Sequence, residues 1–244
     1  MADVPFQQGA GVPVPIMREQ QPIALPQAVL AIDRFVKERR EVDHPLMNWW
    51  LAYLVVVPIT LCIYAIVIWF QMIGRVDRFR ERKRAYYHAA LDFTSQYAAS
   101  RGALDSVQDE LVGLRRRLDV AFSTEITPIN AWLSFFLWII TLDIWGLVVL
   151  YKLNKAWYRL QVVERDFDDR LSVIWQRLGL LKYPLTFHVD TSKNRSFLGN
   201  LVLTIVTLGI WGIVWNYKIY TDPDRLYADF HGVEDTVLNT ARAA

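Results

Sequence analysis

Thr207-Leu208-Gly209-Ile210-Trp211-Gly212-Ile213-Val214 is the stretch that decides the fold, because the chain writes it twice more. The earlier copies read Thr60-Leu61-Cys62-Ile63-Tyr64-Ala65-Ile66-Val67 and Thr141-Leu142-Asp143-Ile144-Trp145-Gly146-Leu147-Val148. In each copy an arginine stands eighteen positions after the threonine (Arg78, Arg159, Arg225), followed by Phe79, Leu160 or Leu226. Copies two and three also share Tyr151-Lys152 and Tyr217-Lys218. Fixed spacing through apolar and polar positions alike predicts one structural unit used three times.

Around the copies the chain is apolar. Residues 45–74 and 196–217 carry no charge, and 126–151 carry only Asp143. The whole is 53% hydrophobic and 21% charged, so apolar residues are gathered into blocks rather than spread through a soluble core. A bilayer core takes roughly 20 apolar residues as a helix, and each block is that long. Tryptophan and tyrosine crowd the block ends (Trp49, Trp50, Trp69, Trp132, Tyr151, Tyr217, Tyr220), as anchoring at an interface requires. The expected fold is an all-α integral membrane protein with three transmembrane helices, at 45–74, 126–151 and 196–220.

The connecting segments read as amphipathic or coiled-coil helices. Leu104, Val107, Leu111, Leu114 and Leu118 form an a/d stripe that continues back through Tyr97, Phe93, Ala90 and Tyr86. It is interrupted at Ser100 and Lys83. A helix over all of 75–122 would end ~70 Å from the membrane, so a turn at Ser100-Arg101-Gly102 and a helical hairpin are expected. Val107, Leu111, Leu114 and Leu118 are the expected coiled-coil contacts. A second stripe (Trp157, Leu160, Phe167, Leu171, Ile174, Leu178, Leu181) predicts an amphipathic helix over 152–182, with Glu164 as an exception, and 183–195 reads as a loop. An amphipathic helix at 28–42 follows a disordered Pro-rich tail, 1–27. Asp222-Pro223 predicts the start of a C-terminal helix, 222–241.

Orientation is ambiguous. Alternating spans would place 14 Lys and Arg on one face and 13 on the other, where an excess on the cytoplasmic face is the rule. Either the spans alternate with the middle copy inverted, or at least one block enters and leaves on one face. A turn in hydrocarbon leaves backbone groups unpaired, and the third block is too short for two full passes, so three spans are favoured. The expected location is the cell (inner) membrane, multi-pass, with a cytoplasmic N-terminal tail.

Chemistry is sparse. Asp143 is the one intramembrane ionisable candidate, and such residues usually meet a partner or a water cavity. Thr60, Thr141, Thr207, Gly146 and Gly212 read as packing positions of the repeat, because small residues let helices approach. His44, His88, His188 and His231 are scattered, and Cys62 is the sole cysteine. No catalytic, cofactor or metal residues are expected, no enzyme is expected, and the balanced charge gives no sign of nucleic-acid binding.

The third copy, Thr207-Leu208-Gly209-Ile210-Trp211-Gly212-Ile213-Val214-Trp215-Asn216-Tyr217-Lys218, resembles the motif of a family of small prokaryotic membrane domains of unknown function, T-x-G-I-[YW]-G-x-x-W-x-Y-K. The second copy departs at Asp143 and Leu150, and the first lacks both glycines and the Tyr-Lys pair. The resemblance implies a prokaryotic membrane protein and no activity. Three functions are expected in order: a multi-span membrane scaffold whose coiled-coil helices bind a membrane-protein partner or further copies of the chain; a membrane-shaping protein using amphipathic helices and re-entrant segments; and a small transporter using Asp143. In each the lipid bilayer is a partner.

Overall fold

The structure, a computed structural model, describes residues 25–60, 63–141 and 144–244. Most of the expected tail, together with Cys62 and Asp143, lies outside the described residues. Eight helices run through the described residues. They are α1 (Leu25–Val42), α2 (49–59, with a π turn at Ala52–Val56), α3 (Ile63–Ser100) and α4 (Gln108–Val120). After these come α5 (Ala131–Ile140), α6 (Ile144–Arg177), α7 (Phe197–Val206) and α8 (Ile210–Ala243).

Each apolar block is therefore a short arm (α2, α5 or α7), a turn, and the start of a long helix (α3, α6 or α8). Arms α5 and α7 have 10 residues each, which is about 15 Å at the helical rise. Among the described residues no helix is long and apolar enough to cross a membrane. That overturns the three transmembrane helices expected at 45–74, 126–151 and 196–220, and with them the integral, multi-pass inner-membrane assignment. A block of that length fits one span, but the chain folds each block back on itself.

The repeat threonine makes the turn. Thr60, Thr141 and Thr207 each donate Oγ1 to the carbonyl four residues back, at 2.8, 2.7 and 2.7 Å. Each Oγ1 also accepts the N–H four residues on, from Tyr64, Trp145 and Trp211, at 3.1, 2.9 and 2.9 Å. One hydroxyl thus closes the arm and caps the long helix, satisfying groups that helix ends normally leave orphaned. At the third turn Leu208 (φ 50) and Gly209 (φ 92) are left-handed, and their N–H groups reach Ile205 and Thr204 carbonyls in a Schellman closure. At their feet the arms are capped by Asn48, Asn130 and Ser196, whose side chains accept from Leu51, Leu133 and Gly199 N–H.

The three long helices pack in parallel. Phe79 meets Trp157, Lys83 meets Glu164, and Thr94 meets Trp175, so α3 and α6 ascend together. Arg75 meets Asp224 and Arg82 meets Glu234, so α8 ascends with them. All three turns consequently lie at one end. Each arm's foot is held by the long helix of the preceding copy, in a closed ring. Asp77 of α3 accepts Ile129 N–H before α5 at 3.2 Å, Asn154 of α6 donates to Arg195 O before α7 at 3.1 Å, and Tyr220 of α8 donates to Met47 O before α2 at 2.6 Å. Aromatic pairs Phe70–Phe135, Tyr151–Phe197 and Trp49–Tyr217 repeat the pattern.

At the other end α1 and α4 pack antiparallel against the long helices. α1 buries Ala28, Ile32 and Val36 and begins at Leu25, inside the stretch read as tail. α3 ends at Ser100, Gly102 turns the chain with φ 65, and α4 returns along α3 with Arg115 bonded to Asp92 and Arg84 to Asp119. The helix expected to start at Asp222-Pro223 does not start there, since α8 runs through with Pro223 inside it. Asp222 is buried and takes Arg195 and Lys193 instead of capping. Likewise 152–182 is the continuation of α6, which ends at Arg177.

Candidate functional site

Two features of the ring stand out, an apolar end and a charged axis behind it. At the turns the hydrophobic side chains face outward: Ile59 and Ile140 are each 75% exposed and Leu208 is 94% exposed. Ile63, Ile144, Ile205, Val206 and Ile210 join them, and Trp50, Trp132, Phe136 and Tyr151 lie exposed lower on the hairpins. An apolar surface of this extent on three converging hairpins marks an interaction surface. The left-handed Leu208 is a strained conformation for a branched side chain, and it holds that side chain at the apex.

The repeat's small residues sit between the helices. A Cβ on Gly212 would come within 2.9 Å of the Thr204 side chain, so this glycine lets α7 and α8 close on each other. Ala65 and Gly146 instead open onto a cavity of about 290 Å³ between the first two hairpins, with Trp69, Phe135, Trp138 and Leu150 around it. Asp143 lies outside the described residues. The stripe residues Val107, Leu111, Leu114 and Leu118 are all buried within the chain, where α4 covers α3 and α6.

Behind the tips the bundle axis turns ionic. Lys83 Nζ lies 2.6 Å from Glu164 and 2.7 Å from Glu234. Arg82 reaches both Glu234 oxygens at 3.0 Å and Asp43 at 2.6 Å, and His231 Nε2 lies 2.8 Å from Asp43. Lys83 is 1% exposed and Glu234 0%. Phe230 lies under the ammonium, at 4.9 Å. Burial lifts Glu164 to about 7 against the pull of Lys83. Burial acts on Glu234 too, but Lys83 and Arg82 outweigh it and hold that carboxyl below its ordinary value. Asp168, buried one turn beyond Glu164 with one oxygen unbonded, is pushed well up by burial and then by Glu164.

No site reading of the sequence picked out this cluster, yet it was signalled there. Lys83 and Glu164 are the two charged exceptions in the apolar stripes, and both stand twenty-three positions after their repeat threonine, where the third copy has Phe230. Asp168 and Glu234 both stand at twenty-seven, where the first copy has Tyr87. Because the helices are parallel and in register, these positions meet as two layers on the axis. The layer before them is the buried Phe79, Leu160 and Leu226, the residues that follow the repeat arginines.

The raised acids predict a pH dependence with a definite sign. The folded state holds protons on Glu164 and Asp168 that the unfolded chain releases near their ordinary values. Glu234, held low, works the other way, but the contribution of the two raised carboxyls is greatest in acid. It falls as pH rises from about 4 through about 7. Asp168→Asn removes part of that loss. Its unfolding free energy, from denaturant titration followed by circular dichroism, is expected to match wild type near pH 4 and exceed it at pH 8, by about 1–3 kcal/mol. A variant less stable than wild type at pH 8 contradicts the assignment.

Comparison of the chain with protein-family models, curated proteins and solved structures finds no match.

Proposed function

We propose that this chain inserts its three hairpins into one leaflet of a lipid bilayer, from one side and without crossing it, and so shapes the membrane it enters. The carrying observation is the reach and direction of the arms. Each arm is about 15 Å long, half of a hydrocarbon core of ~30 Å, and all three apolar turns lie at one end of a parallel bundle. Backbone at such a depth must be internally bonded, and the threonine hydroxyls and arm caps do that. Exposed Trp50, Trp132 and Tyr151 suit the interface below the tips. Insertion places six helix cross-sections, each about 10 Å wide, in one leaflet and none in the other. That asymmetry favours curvature toward the opposite leaflet.

The test uses purified protein on liposomes, with Cys62 replaced and single cysteines at Ser100, Ser192, Leu208 or Ala243. The protein is expected to float with the vesicles. A membrane-impermeant maleimide added outside is expected to label Ser100→Cys, Ser192→Cys and Ala243→Cys without lysis and to miss Leu208→Cys. Electron microscopy is expected to show the vesicles tubulated or reduced in diameter. Failure to float, or labelling of any of the first three only after lysis, sinks the reading. Floating without a change of vesicle shape leaves insertion standing and removes membrane shaping.

A further inference from the structure

The repeat's arginines are the motif that insertion does not use. Arg78, Arg159 and Arg225 stand fifteen residues into their long helices, about 22 Å from the tips, and Lys152 and Lys218 eight residues in, about 12 Å. In a leaflet with its headgroups, roughly 20–22 Å thick, the arginines fall at the outer edge of the headgroup layer and the lysines a few ångströms below its base. Long basic side chains extend toward phosphates from either side. The parallel helices bring Arg78, Arg159 and Arg225 to one level, one on each long helix.

Their charge is not cancelled locally. The acids at that level lie against other groups: Asp77 against Ile129 N–H and Arg80, with Lys152 near; Asp222 against Arg195 and Lys193; and Asp224 against Arg75. Among the described residues Arg78, Lys218 and Arg225 have no carboxylate within 4 Å, and Arg159 meets the Glu125 carbonyl at 3.0 Å. Lys218 lies 5.0 Å over the Trp211 ring. Arg78 and Arg225 are exposed, and so are the nearby acids Glu81, Asp224 and Asp229, of which Asp224 is held by Arg75. Resting on the one-leaflet reading, we infer that Arg78, Arg159, Arg225, Lys152 and Lys218 form a basic collar that selects anionic phospholipid headgroups. Its partner is the surface of an acidic leaflet. The collar also gives the fixed arginine spacing a cause, since a cation at this height in each copy surrounds the bundle.

The test measures partitioning of wild type and R78Q/R159Q/R225Q onto vesicles of phosphatidylcholine alone and with phosphatidylglycerol added, at low and high salt. A basic residue near an anionic surface is worth about five-fold in binding, so three are worth on the order of 100-fold. Wild type is expected to prefer the anionic vesicles by more than that factor, and salt to erase the preference. The triple variant is expected to bind phosphatidylcholine as wild type does and to lose about 100-fold of the preference, keeping the roughly 25-fold that the two lysines supply. If the triple variant does not fold, K152Q/K218Q carries the same comparison. Unchanged preference in the variant, or no preference in wild type that binds neutral vesicles, overturns the collar. Binding to anionic vesicles alone, stripped by high salt, keeps the collar and overturns insertion. Absence of binding to both overturns the two together.

Discussion

Lys83→Met is expected to lower unfolding free energy by about 3–5 kcal/mol, the usual loss when one member of a buried ion pair is removed. The ammonium bonds Glu164 and Glu234 at 2.6 and 2.7 Å, and Lys83 is buried. Without it Glu234 keeps Arg82, while Glu164 keeps no cation within bonding distance. Glu164 already titrates at about 7 and can escape by taking up a proton. The loss should therefore be largest at pH 8 and smaller at pH 5. Adding Glu164→Leu should recover most of it, because a buried pair replaced by apolar side chains is often neutral in stability. Denaturant unfolding of the two single variants and the double variant forms the cycle. A loss under 1 kcal/mol, or one equal at both pH values, rejects this account of the axis.

Charging the tips is expected to have the second large effect, on membrane affinity and not on folding. Ile140→Asp and Leu208→Asp change side chains that are 75% and 94% exposed, so the fold should shift by no more than about 0.5 kcal/mol. Asp also tolerates the left-handed backbone at Leu208 better than leucine does. Carrying a carboxylate into hydrocarbon costs about 2.5–3.5 kcal/mol, so each variant should partition onto vesicles roughly 100-fold less than wild type. Val173→Asp, exposed far down α6, is the control and should bind as wild type does. Equal partitioning of Leu208→Asp and wild type, with both folded by circular dichroism, shows that the tips do not enter lipid.

How much was legible depends on which physics a residue obeys. The repeat, its helical character and its aromatic ends were plain, because they rest on local spacing and composition. The turn was not, because periodicity cannot separate one apolar helix from two shorter ones joined by Thr-Leu-x, and two of the three copies carry no glycine there. The objection to such a turn, its unpaired backbone, fails because the threonine hydroxyl pairs the groups on both sides. The third block is too short for two full passes, yet it is long enough for two arms of half depth. The near-equal basic counts have no orienting meaning when all three blocks return to the end they left.

Lys83 and Glu164 show the same divide from the other side. Each looked like a flaw in an apolar stripe, and only their shared place in the repeat hinted at a purpose. By itself the sequence determined the unit: a threonine inside an apolar run, an arginine at eighteen and an apolar residue after it. Those depend on contacts within a helix or two, which near neighbours in the chain specify. Only the tertiary structure decided that the copies run parallel, that their arms close a ring, and that Lys83, Glu164 and Glu234 meet on its axis. Such choices are made by side chains far apart in sequence, through burial and ion pairing that no local pattern contains.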